Sequence, residues 1–351
     1  MKKIFILTLI LFGFMSPAHA ETDFYIQGES QYNKNVSDIL SGEFTLSPAK
    51  IINTALDTFM KEVKNSKKLI INIVVIAAIS GTLNILQLSF GNSGSGEAAF
   101  FTCFTLIAIS LSGLISEVVG YGAEVIKNLT DFTTKIAPVL TISLIASGKV
   151  ASAGSFYPVL SGAIYVVSVI INQFIIPMVT LSAILGIVNN ISKRVQLKSL
   201  TNLIKSFSKW ILTGILTIFT GINAIYGFSV PVLDAVSLKA LQFTVGSCVP
   251  VVGGLVSDTV ETVLTGAKLM KNAVGTAGII TVITICTVPI LKLSAIILML
   301  KLAQASVEPL TDKRISDMIS DIISPITTVF SMVIATSMLF IISIAIIIGA
   351  N

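Results

Sequence analysis

Apolar positions along this chain gather into long blocks separated by short polar stretches, and the first block clear of the N-terminus runs over 69–88. A Gly/Ser-rich turn at 91–96 leads to a second block over 98–116. Each is close to the ~20 residues that a bilayer crossing requires, so together they predict a transmembrane helical hairpin. Glu117, Glu124, Lys127, Asp131 and Lys135 then alternate with Val118, Val119, Val125, Ile126 and Leu129, the pattern of an interfacial helix on the outer side. Residues 136–190 are almost continuously apolar but interrupted by Pro138, Gly148, Lys149, Gly154, Pro158 and Pro177. That block predicts either one long helix with a re-entrant piece or three short passes.

A further span is predicted over 210–230, where Gly214 and Gly221 stand one heptad apart and allow another helix to approach closely. Residues 231–272 hold a proline- and glycine-rich run, and an apolar stretch over 273–300 follows with Pro289 and Lys292 inside it. The segment 312–324 is amphipathic, with Ile315, Met318, Ile319, Ile322 and Ile323 opposite Asp317, Ser320 and Asp321, and predicts a helix along the inner surface. A last span over 325–348 ends the pattern, which predicts an all-α, polytopic transmembrane helical bundle of six to eight spans. No internal repeat is visible, so the best sequence sign of an inverted-repeat transporter is missing.

Charge sets the direction of this bundle. Lys2 and Lys3, an apolar run from Ile4 to Met15 and the small-residue site Ala18-His19-Ala20 read as a cleavable signal peptide over 1–20, with an uncleaved anchor as the alternative. Either one leaves 21–68 as an extracytoplasmic segment ahead of a multi-pass membrane domain over 69–351. Within that segment a helix opening at Ser47-Pro48 places Ile51, Ile52, Ala55, Leu56, Phe59 and Val63 on one side, to lie on the membrane, on a partner or on the protein's own helices. Lys193, Arg194, Lys198, Lys205 and Lys209 occur with no acid among them, which the positive-inside rule assigns to the cytoplasm. An odd number of crossings must then precede Lys193. Val195, Leu197, Leu200, Leu203, Ile204 and Phe207 recur among these cations at near-helical intervals, as in a helix resting on an anionic leaflet or docking a cytosolic partner.

Composition narrows the function further. Of 351 residues, 54% are hydrophobic and 12% charged, against about a quarter charged in soluble domains; mean hydropathy is +0.92. The net charge of +5 comes from scattered cations without interleaved aromatics, which gives no footing for nucleic acid. Cys103, Cys248 and Cys286 lie far apart in apolar stretches and read as buried packers. The one histidine, His19, falls inside the signal, so no Ser-His triad or His-ligated metal is expected in the mature chain. No catalytic, cofactor or metal pattern appears, and the chain is expected not to be an enzyme. Asn84, Gln87, Asn172, Gln173 and Asn223 are expected to bond between helices.

The candidate working residues cluster around the run from Ser247 to Thr262, which contains Pro250, Gly253, Gly254, Asp258 and Glu261. Asp258 and Glu261 share a helical face with Thr262 and Thr265, and fit an N-cap with its reciprocal N3 partner. The functional reading is a helix broken at membrane depth that points its carboxylates toward a polar cavity or a partner. Lys292 sits in an apolar stretch where a central cation costs ~2.5–3.5 kcal/mol, so it must snorkel, face water or pair, with Asp258 or Glu261 as proposed partners.

The stretch Pro250-Val251-Val252-Gly253-Gly254, then Ser257-Asp258, then Lys271-Asn272-Ala273-Val274-Gly275-Thr276-Ala277-Gly278, resembles the signature region of the stage III sporulation protein AE family. Glu308-Pro309 and Asp312-Lys313-Arg314-Ile315 before the final span agree with it. Lys271, Asn272 and Gly275 become candidates through this resemblance. It implies a multi-pass protein of the mother-cell membrane, in a stage III A channel or secretion complex that links mother cell and forespore and serves late forespore development. The implied partners are the other proteins of that operon, including a cytosolic ATPase and ring-forming subunits, and the forespore stage II Q protein. The family supplies no catalytic residues. A secondary transporter or permease of a small solute is the alternative expectation, and would need charges on several spans lining a pathway.

Overall fold

The computed structural model describes the backbone of residues 23–41, 48–90, 93–191, 197–248 and 253–349; within these, the side chains of 23–30, 48–52, 66, 68, 69, 84–90, 93–97, 226–248 and 253–262 lie outside the described set. The signal peptide expected over 1–20 falls outside it as well. Among the described residues the chain is all-α: α1 (Asp23–Ser41), α2 (Pro48–Phe90), α3 (Ser93–Ala146), α4 (Val150–Ile170), a π-helical turn (Ile171–Ile175), α5 (Ile176–Ile191), α6 (Lys198–Cys248), α7 (Gly253–Val307) and α8 (Lys313–Gly349). Six of the resulting segments are long and apolar enough to cross a membrane, within Asn53–Leu83, Ala98–Ala146, Val150–Ile191, Lys198–Ile225, Val263–Val307 and Lys313–Gly349. The protein is a multi-pass membrane protein, and the described residues supply six of the expected six to eight spans.

The helices are longer than the hydropathy blocks that nucleate them. At 1.5 Å per residue α2, α3, α6, α7 and α8 run from about 55 to 82 Å, well beyond a hydrocarbon core of ~30 Å. Polar stretches that resemble interfacial breaks are helix interiors instead. Residues 117–135 are the middle of α3, not a separate surface helix, and 312–324 continues without a break into the last span rather than lying along the inner face. The reason is packing: Ile315, Met318, Ile319 and Ile322 are fully buried inside the bundle. Asp312 caps this helix, its Oδ1 accepting the Arg314 backbone N–H at 2.9 Å.

Neither expectation for 136–190 matches the structure. Residues 136–146 finish α3, and one nearly continuous helix occupies 150–191. The turn between them is made by Gly148, whose φ of 80° lies in the left-handed region. Its N–H bonds the Ile145 carbonyl at 2.9 Å and the Lys149 N–H bonds the Leu144 carbonyl at 3.0 Å, the paired closure of a Schellman motif. Further on, the Pro177 ring crowds the carbonyl four residues back, that of Gln173. The chain answers with the π turn at Ile171–Ile175, after which the Ile176 N–H reaches the carbonyl of Ile171.

Packing centres on α8, which lies against α3, α5, α6 and α7, while α2 packs on α3 and α7. Phe104, Leu111, Ile126, Leu140, Ile319, Val329, Met332 and Phe340 are among the fully buried side chains at the seams. Between apolar helices in lipid, close van der Waals contact is the main source of association, so this interdigitation holds the bundle. Cys103 and Cys286 are buried and free, as expected. Cys248 lies outside the described side chains. Among the described residues Gly214 and Gly221 do not meet a helix: no atom lies within 4 Å of where a side chain would start. Asn172 and Asn223 bond carbonyls of their own helix, at Ser168 and Phe219, rather than bridging helices, and Gln173 is exposed. The side chains of Asn84 and Gln87 lie outside the described residues.

The N-terminal region docks on the protein itself. Helix α1, which has no counterpart in the hydropathy pattern, lies against α7 and α3. Asn35 Nδ2 donates to Thr281 Oγ1 at 3.3 Å, and the Tyr32 ring meets Phe132 edge-on with centroids 5.8 Å apart. Its outer hydroxyl is buried without a hydrogen-bond partner, and burial pushes the phenol up to about 12.

Candidate functional site

The nine residues singled out by sequence do not form one constellation; eight of them are strung along α7. Pro250 falls between α6 and α7, outside the described residues, and Gly253 begins α7. Asp258 is therefore five residues inside the helix and is not its N-cap. Its side chain and that of Glu261 lie outside the described set. The helix break expected over 249–252 lies outside the described residues; α7 starts at Gly253, about 30 Å along its axis before Ala273, where the apolar stretch starts. Lys292 does not pair with either carboxylate. Residues 261 and 292 belong to one continuous helix and are separated by about 46 Å along its axis.

Lys271 and Gly275 meet the C-terminal end of α8. Lys271 is completely buried, and its Nζ donates to the Ile348 carbonyl at 3.2 Å. A cation at that position complements the partial negative charge of a helix C-terminus. Lys149, 3% exposed and just past the end of α3, is close enough to Lys271 to act on it electrostatically. Asn272 Oδ1 is buried without a partner beside them. At Gly275 a methyl group would collide with the Ile348 side chain, so the missing Cβ is what lets α7 and α8 touch here.

Lys292 is the centre of a second locus, 21 residues further along α7. Its Nζ donates to Glu117 Oε1 of α3 at 3.2 Å and stands 4.5 Å from the centroid of the Tyr121 ring. Beside the pair a cavity of about 230 Å³ opens between α2, α3 and α7. Glu62, Asn65, Glu117 and Lys292 form its polar wall, and Ile70, Leu114, Ile296, Met299 and Leu300 its apolar one. The sequence marked Lys292 as a charge needing a partner but not Glu117, which read as part of a surface helix.

A third locus was missed entirely. Asp321 of α8 accepts from Lys205 Nζ of α6 at 2.9 Å through Oδ1 and from Asn190 Nδ2 of α5 at 3.0 Å through Oδ2. Both amino acids that sandwich Asp321 read separately, one as a topology charge and the other as the end of a span. Nearby, Arg314 pairs with Asp312 at 3.2 Å and stacks 3.8 Å over the Phe100 ring, joining α8 to α3. Among the described residues no group of three or more His, Cys, Asp or Glu side chains is placed to hold a metal.

Comparison with known proteins supplies what the geometry does not. The family model described as stage III sporulation protein AE matches residues 30–351. Stage III sporulation protein AE of Bacillus subtilis (strain 168) is 27% identical over 317 residues, covering 90% of this chain and 79% of that protein. No solved structure matches the chain.

Proposed function

Because the chain belongs to the stage III sporulation protein AE family and so has a sporulation-related role, we propose that it is a membrane subunit of the stage III A channel or secretion complex between mother cell and forespore. In this reading it sits in the mother-cell membrane, is not an enzyme, and contributes to late forespore development by assembling with other subunits. Its partners are the remaining proteins of that operon, among them a cytosolic ATPase and ring-forming subunits, and the stage II Q protein of the forespore. The observation that carries the reading is the family match over residues 30–351, which includes the whole membrane body.

The architecture supports it. Among the described residues three apolar passes precede Lys193; in this reading that odd number leaves the basic connection between α5 and α6 in the cytoplasm and the N-terminal segment outside. Helix α6 continues about 27 Å past Val230, and α7 begins about 30 Å before Ala273, so the two extend beyond their apolar stretches toward the same outer side. The permease alternative has weaker support: the cavity beside Lys292, about 230 Å³, is smaller than the roughly 300–1,000 Å³ of ordinary small-molecule sites.

Copurification from sporulating cells, with cross-links mapped to 21–68 and 231–272, tests the proposal. Recovery of operon-encoded membrane proteins and the ATPase, joined through those two regions, is the expected result. Recovery of this chain alone under conditions that preserve other membrane assemblies would overturn it.

A further inference from the structure

The cavity beside Lys292 lies where two apolar blocks stop. Glu62 and Asn65 precede the 69–88 block on α2, and Glu117 follows the 98–116 block on α3. Those helices pack against each other, so their apolar blocks end on the same side of the molecule. At that boundary lipid headgroups meet a membrane protein. On α7, by contrast, Lys292 is still inside an apolar stretch that runs to Leu300. The offset leaves a notch that is polar toward α2 and α3 and apolar toward α7.

Its chemistry is that of a zwitterion receptor with a negative bias. Two carboxylates, Glu62 and Glu117, face one ammonium, Lys292, and the Lys292–Glu117 pair is 3.2 Å long. Among the described residues that line the notch, one negative charge is left over for a cationic guest, and Lys292 is the cation able to meet an anionic group. Ile70, Leu114 and Ile296 continue the wall as apolar surface. We propose that this notch binds the headgroup of a phospholipid bearing a primary ammonium, of the ethanolamine type. The ammonium sits between Glu62 and Glu117, the phosphate faces Lys292, and the start of an acyl chain lies along the apolar wall. This inference is independent of the assembly reading and stands or falls separately.

The test uses the full chain purified in detergent, with thermal unfolding and native mass spectrometry as readouts. The added probes are phosphatidylethanolamine, phosphatidylcholine, phosphatidylglycerol and free O-phosphoethanolamine. Phosphatidylcholine carries no N–H donor on its quaternary ammonium, and phosphatidylglycerol carries no cation. The ethanolamine lipid should therefore bind about fivefold more tightly than either, the size of a partly exposed ion pair. Glu62→Gln should bring the three lipids to within about twofold of each other, with unfolding in the absence of lipid unchanged. Lys292→Met should weaken the ethanolamine lipid while Tyr121→Phe, which keeps the ring, should not. Equal binding of all three lipids, preference for phosphatidylglycerol, or an ethanolamine preference that survives Glu62→Gln would each overturn the proposal. So would free O-phosphoethanolamine binding as well as the intact lipid, because the acyl contact would then contribute nothing.

Discussion

Asp321 joins three helices through two hydrogen bonds, and the exposure of its partners decides how much that matters. The Lys205 and Asp321 side chains are 11% and 21% exposed, whereas Lys292 and Glu117 are 24% and 60% exposed. Removing one member of the drier pair strands a charge in the bundle, so Asp321→Asn should cost about 2–3 kcal/mol, somewhat below a fully buried pair. Lys205→Met combined with Asp321→Met should cost less than the single change, because no charge is then stranded. Glu117→Gln at the wetter pair should cost less than about 1 kcal/mol. Thermal unfolding in detergent ranks the three variants, and an Asp321→Asn protein as stable as wild type would remove this pair from the account of the fold. Tyr32 makes a pH prediction. Its folded value is raised from 10.0 to about 12 by burial, so the unfolded chain loses the phenolic proton first. Stability is complete below about pH 10 and falls as pH rises from there through about 12. Tyr32→Phe should abolish that alkaline loss in a pH series of melting curves, and should not destabilise at neutral pH, because the hydroxyl has no partner to lose. Lys292 was legible as a cation in apolar surroundings and Lys271 only through the family resemblance; their partners were not legible, since they come from 175 and 77 residues away.

At the scale of elements, hydropathy marked where the chain crosses the membrane but not where its helices start and stop. The blocks at 98–116, 273–300 and 325–348 all lie inside observed helices, yet α3 and α7 are far longer than the blocks within them. Amphipathic stretches extended these helices because their polar groups found one another across the bundle, as Glu117 does with Lys292. A pattern read along one helix carries no information on what packs opposite it. Gly148 is a boundary that composition could suggest but only the backbone explains. Gly148→Ala forces a Cβ into a left-handed conformation and should cost about 1–2 kcal/mol. Gly275→Ala must push Ile348 aside, at about 1–3 kcal/mol. Gly214→Ala, with open space around it, should be neutral or slightly stabilising through helix propensity. Unfolding midpoints of the three variants in one detergent separate the explanations: equal losses at 148 and 214 would mean that the turn geometry is immaterial.

For the whole molecule, the six passes among the described residues and the charge distribution make a single prediction about which ends face which compartment. If 1–20 leads the chain outward, α2 runs inward, α3 outward and the 150–191 helix inward, leaving Lys193 and Arg194 in the cytoplasm. Helix α6 then returns outward, and Cys248 at its end lies on the outer side. The chain's own cysteines make this measurable, because Cys103 and Cys286 are buried and shielded from a polar reagent. A membrane-impermeant maleimide added to protoplasts should label the wild-type chain at Cys248 alone, and Cys248→Ser should remove the signal. Reintroducing a thiol in the basic connection of that variant, as Ser192→Cys, should leave it unlabelled until the membrane is permeabilised. Labelling of Ser192→Cys in intact protoplasts would invert every pass at once. It would put the basic connection outside, carry the 249–252 run into the cytoplasm, and take from the proposed assembly the surface through which α6 and α7 meet partners between the membranes.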